Sequence, residues 1–173
     1  MEFVEKQGLK IWWLYLITAL TAIPTLAVLF FGKDGLSVAE LRKVYFAPVW
    51  AALSPILIVF LIQQNKLTLK INAEGVAFRY FPFHIKPGRF HWMNIEKAYI
   101  RKYDAFSEYG GYGVKSRLWF KFRDKAYILN DKNRGLQLEF KNGRKLLFSS
   151  NRIDELEMFL MNLKTRYNIQ AIQ

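Results

Sequence analysis

Two stretches of 22 residues, 11–32 and 44–65, contain no charged side chain. As a helix each would extend about 33 Å, against a bilayer hydrocarbon core of about 30 Å. No other feature limits the folding of this chain so strongly, because an uncharged run of that length must be covered by lipid or by protein. Trp12, Trp13, Tyr15, Phe30 and Phe31 stand at the ends of the first run and Tyr45 at the start of the second, where interfacial aromatics belong. Pro24, Pro48 and Pro55 are compatible with membrane helices, in which neighbouring groups satisfy the backbone that Pro frees. A cleaved signal peptide fits less well. Its apolar core spans about 7–15 residues behind a basic leader, whereas here Glu2 and Glu5 cancel Lys6 and Lys10. A pair of buried soluble helices is the remaining alternative. The expectation is a transmembrane α-helical hairpin over residues 1–65, with spans at about 11–32 and 44–63 joined by a short turn at 33–43.

Charge is segregated. Of 26 Lys and Arg and 14 Asp and Glu, residues 66–173 hold 21 and 10, so nearly all of the net +12 lies after the second run. Positive-inside bias then predicts an integral protein of the cytoplasmic membrane with both termini and the C-terminal domain cytoplasmic. A hydrophobic fraction of 52% excludes disorder, and the absence of Cys excludes disulfides, thiolate metal sites and a Cys nucleophile.

After Asn65 the apolar period becomes two. Leu67, Leu69 and Ile71 share a face, as do Val76, Phe78 and Tyr80, then less clearly Ala98 and Ile100. Leu118, Phe120 and Phe122 alternate with Arg117, Trp119, Lys121 and Arg123, which reads as one strand with a basic exposed face. Turn signals fall at 72–75, 86–88, 130–133 and 141–143. A three-residue Lys141-Asn142-Gly143 loop with Gly143 left-handed pairs Leu138 with Leu146 and Leu136 with Phe148, whereas a two-residue loop puts Lys145 on the core face; the former is preferred. Ile153, Leu156, Leu160, Leu163 and Tyr167 form a helical stripe, with Asn151 as the expected N-cap. About seven short antiparallel strands and one terminal helix over 66–173 is the element order of a pleckstrin-homology-like barrel, an α+β, mainly-β domain.

Little reads as chemistry. His84 and His91 lack a third metal ligand. Ser149-Ser150 is not in a nucleophile elbow and suits a strand exit and helix cap. Asp154, Glu155 and Glu157 suit dipole compensation in a first helical turn. No enzyme, cofactor or metal is implied. Gly110, Gly111, Tyr112 and Gly113 lack a dinucleotide-loop spacing; they form either an anion nest or close-approach site for a partner, or, as the preferred reading, a hairpin connection or bulge.

The chain resembles bacterial membrane proteins in which a two-helix hairpin precedes a pleckstrin-homology-like domain. The resemblance rests on Glu108-Tyr109-Gly110-Gly111-Tyr112-Gly113-Val114-Lys115, Ala126-Tyr127, Gly135-Leu136-Gln137-Leu138 and Gly143-Arg144-Lys145-Leu146-Leu147. It implies a membrane-tethered binding or scaffold module with no known reaction. In eukaryotic relatives of that fold, inositol phosphates are often bound by bases in the first strand pair and its loop. Here the loop Asn72-Ala73-Glu74-Gly75 carries an acid and no base.

Lys115, Arg117, Lys121, Arg123 and Lys125, with Trp119 among them, are the strongest functional signal: either a patch facing anionic lipid headgroups or an ordinary solvated strand face. Nucleic acid ranks below both, since no recognition motif is present. The expected function is a non-enzymatic binding or scaffold module for an anionic lipid surface or a membrane or cytoplasmic protein. The alternative is an accessory subunit of a transport or envelope complex that contacts its partners through the hairpin.

Overall fold

A computed structural model describes residues 1–9, 12–31, 47–83, 86–118 and 121–173. The chain divides into two compact units, Ile11–Gln64 and a second formed by Met1–Lys10 with Asn65–Gln173.

The first unit is a helical pair, α1 (Trp12–Phe31) and α2 (Ala47–Gln64), packed on each other. Neither carries a charge in its terminal turns. Thr21 is tolerated because its hydroxyl donates back to the Ile17 carbonyl at 3.0 Å. Many large apolar side chains are exposed, Leu20 and Ile23 on α1 and Ile56 and Phe60 on α2 among them.

The transmembrane hairpin is corrected here. Among the described residues, no helix is long and apolar enough to cross a membrane. The 18 residues of α2 extend about 27 Å, short of a hydrocarbon core of about 30 Å. The integral placement in the cytoplasmic membrane rested on those spans and is withdrawn with them. The expected connection at 33–43 also lies outside the described residues.

Among the described residues the second unit has nine strands: β1 (Glu2–Gly8), β2 (Lys66–Asn72), β3 (Gly75–Phe81), β4 (Gly88–His91), β5 (Ile95–Lys102), β6 (Gly113–Arg117), β7 (Lys121–Ile128), β8 (Arg134–Phe140) and β9 (Lys145–Ser149). A 3-10 turn, Trp92–Asn94, joins β4 to β5. Two helices complete the unit, α3 (Ala105–Tyr109) after β5 and α4 (Ile153–Tyr167) at the end. The strands form a four-stranded sheet in the order β1-β2-β3-β4 and a five-stranded one in the order β5-β8-β9-β7-β6. The expected barrel of about seven antiparallel strands is therefore corrected to two sheets of nine strands, in which β7 and β9 run parallel. Two strands were added for separate physical reasons. The inward face of β1 is largely polar and gives no apolar alternation to read, while the single strand read from Arg117 to Arg123 is a hairpin that turns at Leu118 and pairs Arg117 with Lys121.

One core joins the inner faces of both sheets, Leu67, Leu69, Phe78 and Tyr80 from one and Leu136, Leu138, Leu146 and Phe148 from the other. Ile153, Leu156, Leu160 and Leu163 of α4 close it, while Tyr167 stays exposed. The β8–β9 hairpin has the expected three-residue register, Leu138 opposite Leu146 and Leu136 opposite Phe148, with Gly143 at φ 79°. On the other face of the five-stranded sheet, α3 covers Ala126, Ile128 and Leu147 with Ala105 and Tyr109.

The first strand is held by polar contacts. Gln7 donates to the Ser149 carbonyl at 2.6 Å and accepts from the Ser149 hydroxyl at 3.2 Å. The buried Glu5 carboxylate accepts from the Ser150 hydroxyl and from the Asn151 N–H. The expected Asn151 cap is thereby replaced: Asn151 precedes the N-cap position, Arg152, whose side chain makes no cap bond. The Ser150 hydroxyl instead accepts from the Arg152 N–H at 3.1 Å.

Candidate anion-binding surface

Alternation in the four-stranded sheet sends Phe3, Leu67, Leu69, Ile71, Phe78 and Tyr80 inward and every second residue outward. The outward set includes Lys6, Lys66, Lys70, Arg79 and Arg89, all exposed. Register spaces these charges. Lys6 lies opposite Thr68, which lies opposite Arg79; Lys70 is opposite Ala77, which is opposite Arg89; Lys66 is opposite Phe81. No base faces another base directly, so the charge is concentrated without the direct cross-strand repulsion that would cost stability. Glu2 is the one acid of these four strands on that face, with a carboxylate oxygen 4.0 Å from the Lys70 ammonium.

The face has a concave end. A cleft of about 260 Å³ opens beside the β2–β3 turn, lined by Glu2, Lys70, Glu74, Arg89 and His91 among others. The Asn72 carboxamide oxygen accepts from the N–H groups of Glu74 and Gly75 and fixes that turn. Gly75 is required where β3 meets β4, because a Cβ there would sit 2.0 Å from the Phe90 carbonyl oxygen. Its two acids and three bases give the cleft a mixed lining, unlike the strands beside it.

The basic cluster read from the sequence falls on two paired strands, β6 and β7. Arg117 is engaged, 3.3 Å from Glu108 and 3.2 Å from Asp124. Lys115 is half-buried on β6, Arg123 and Lys125 are exposed on β7, Trp119 lies outside the described residues, and so does the side chain of Lys121. Of the apolar set expected to face inward, Phe122 is 67% exposed and Leu118 39%, and Phe120 lies outside the described residues. The hairpin turn removes the single period on which the sorting of these side chains depended.

Arg117 belongs to a network under α3. Arg101 donates to Glu108 at 3.1 Å and to the Tyr109 hydroxyl at 2.9 Å, and that hydroxyl donates to Asp124 at 3.2 Å. Burial pushes the Glu108 carboxyl up, but the Arg101 hydrogen bond, the Asp104 N–H and the charges of Arg101 and Arg117 hold it below the ordinary carboxylate value. Burial, reinforced by the Asp124 charge, pushes the Tyr109 phenol well up, so it stays a neutral bridge. This network ties helix to sheet.

Gly110 and Gly111 do not form a nest. Gly110, at φ 71°, is the residue that ends α3; its N–H donates to the Phe106 carbonyl, and that of Gly111 to the Ala105 carbonyl. Both amides are used in closing the helix, and the Gly110 bond to Phe106 with Gly110 left-handed is that of an αL cap. Tyr112 packs edge-on against Phe106, and Gly113, at φ 96°, starts β6. Among the described residues no group of three or more His, Asp or Glu could hold a metal ion; His91 is exposed and His84 lies outside them.

The residues that sequence reading missed are therefore Lys6, Lys66, Lys70, Arg79 and Arg89. For Lys66, Lys70 and Arg79 the signal was present, since each alternates with a residue of the apolar face. For Lys6 and Arg89 no such pattern exists, and only strand pairing brings them to the same surface. No protein-family model matches the chain, and no curated protein matches it.

Proposed function

We propose that the β-rich unit is a non-enzymatic binding module for anionic lipid headgroups, and that it uses the outer face of the four-stranded sheet. The observation that carries this reading is the set of five exposed bases, Lys6, Lys66, Lys70, Arg79 and Arg89, against a single strand acid, Glu2. A base held near an anionic leaflet contributes about 1 kcal/mol, decaying over a Debye length of about 10 Å at 0.1 M salt. Five bases spread over one sheet face suit a two-dimensional array of charge, and all five need not engage at once. Nucleic acid fits less well, because the central positions of this face, Val4, Thr68 and Ala77, offer no aromatic platform for bases.

The test is sedimentation of the full chain with vesicles of mixed phosphatidylglycerol and phosphatidylcholine, compared with phosphatidylcholine alone. The wild type should bind the anionic vesicles more tightly, and the difference should shrink as salt rises. A variant carrying Lys6→Glu, Lys70→Glu, Arg79→Glu and Arg89→Glu should lose the difference while keeping whatever binding the helical pair confers. Equal binding to both vesicle types by the wild type would sink the reading.

A second reading rests on the exposed apolar side chains of α1 and α2. An apolar protein partner would cover them, and the functional contact would then lie in the helical unit. Co-purification of a stoichiometric partner that survives the four-base reversal but is lost with Ile56→Ser and Phe60→Ser would favour it.

A further inference from the structure

At the end of the basic face opposite the cleft, β3 finishes in Phe81, which pairs with Lys66; Lys66 in turn pairs with Gly8. Phe81 is 39% exposed and Phe83, two residues on, 73%. Phe83 is not a stray surface aromatic. The Phe83 ring is stacked on Tyr80, with centroids 5.8 Å apart and planes at 14°. Tyr80 is itself buried and hydrogen-bonded through its hydroxyl to Asn65. An exposed ring seated on a fixed, buried ring is held in a defined position, so little conformational entropy is lost when a partner covers it.

We propose that Phe81 and Phe83 form an interfacial wedge: when the basic face meets an anionic bilayer, this end of the sheet is directed into the headgroup and upper acyl region. Lys66 and Arg79 lie beside the wedge and engage the headgroup phosphates around it. The inference rests on the anionic-surface reading and adds to it an orientation and an apolar component. Charge complementarity selects the partner, because the wedge is flanked by bases, and exposed aromatics next to bases suit a bilayer interface, where apolar and wet surroundings meet within one side chain's length. The contact is confined to the headgroup and upper acyl region and places no helix across the bilayer.

The absence of native Cys permits a local readout in the full chain. An environment-sensitive fluorophore is attached at Phe83→Cys and, in a second protein, at Asn142→Cys, in the exposed β8–β9 turn. On mixing with phosphatidylglycerol-containing vesicles, emission from position 83 should shift to the blue and be quenched by doxyl-labelled lipid, while position 142 should do neither. In the Lys66→Glu, Arg79→Glu background the response at 83 should fall to the level seen with phosphatidylcholine alone. An unshifted label at 83 in a protein that still prefers anionic vesicles overturns the wedge and leaves the basic face standing. Loss of any preference for anionic vesicles overturns both. An equal shift with neutral vesicles overturns the coupling to Lys66 and Arg79, and a shift produced by a single-stranded oligonucleotide but not by vesicles identifies the wrong polyanion.

Discussion

The buried carboxylate of Glu5 accepts a hydrogen bond of 2.6 Å from the hydroxyl of Ser150, across a separation of 145 residues. The other carboxylate oxygen accepts from the Asn151 N–H at 2.7 Å. The two residues tie the first strand of the chain to the segment entering its last helix. Replacing Glu5 by Ala strands both donors, at a cost of about 2–3 kcal/mol for hydrogen bonds to a charged group. Lys6→Ala, on the exposed face of the same strand, should cost no more than about 0.5 kcal/mol. Urea unfolding of the two variants measures the difference, and equal midpoints would show that Glu5 does not hold the strand.

Acid should weaken the fold through Glu108 and Glu139. The Lys145 ammonium, 2.8 Å from Glu139, holds that carboxyl below its ordinary value of 4.5 despite burial, and Arg101 and Arg117 do so for Glu108. Both groups are depressed in the folded state, so the unfolded chain binds more protons as pH falls through this range. Their stabilisation is complete above about pH 5 and is lost as pH drops through the folded values below 4.5. Glu108→Gln removes one contribution, so thermal unfolding from pH 6 to pH 3 should show a shallower acid limb than the wild type. A steeper limb contradicts the assignment.

Two glycines should respond in a fixed order. A Cβ at Gly135 would lie 2.5 Å from the Phe148 carbonyl oxygen and 3.2 Å from the Tyr103 ring, at the end of the β8–β9 pairing where Gly135 faces Ser149. Gly135→Ala should therefore cost about 3 kcal/mol through overpacking. At Gly143 nothing lies within 4 Å, and only its φ of 79° resists a side chain. Gly143→Ala should cost about 1 kcal/mol. Chemical denaturation ranks the pair, and the reverse order would contradict the register described for this hairpin.

Tyr109→Phe deletes the hydroxyl that joins Arg101 to Asp124. The loss should be about 1–2 kcal/mol. If the hydroxyl acts by joining the two charges, the same substitution made in an Asp124→Asn background should cost clearly less. Additive losses in that double-mutant cycle would mean that the three groups act independently.

Local pattern was enough to determine β2 and β3, because their inward apolar residues recur every second position, and the β8–β9 hairpin, because the Lys141-Asn142-Gly143 turn admits a register that keeps Lys145 off the core face. The buried stripe of α4 was legible for the same reason, from Ile153 to Leu163. Tertiary structure decided the rest. Glu5 and Gln7 are buried because Ser149, Ser150 and Asn151 arrive from the far end of the chain to bond them, and no local period records a partner 145 residues away. Arg117 is held by Glu108 and Asp124 because the chain turns at Leu118, so a run of bases that looked like one surface is divided between two strands. Lys6, Lys66, Lys70, Arg79 and Arg89 share a face because β1 to β4 pair side by side. Each strand contributes only one or two of those bases, and lateral pairing is a relation between segments that no single segment contains.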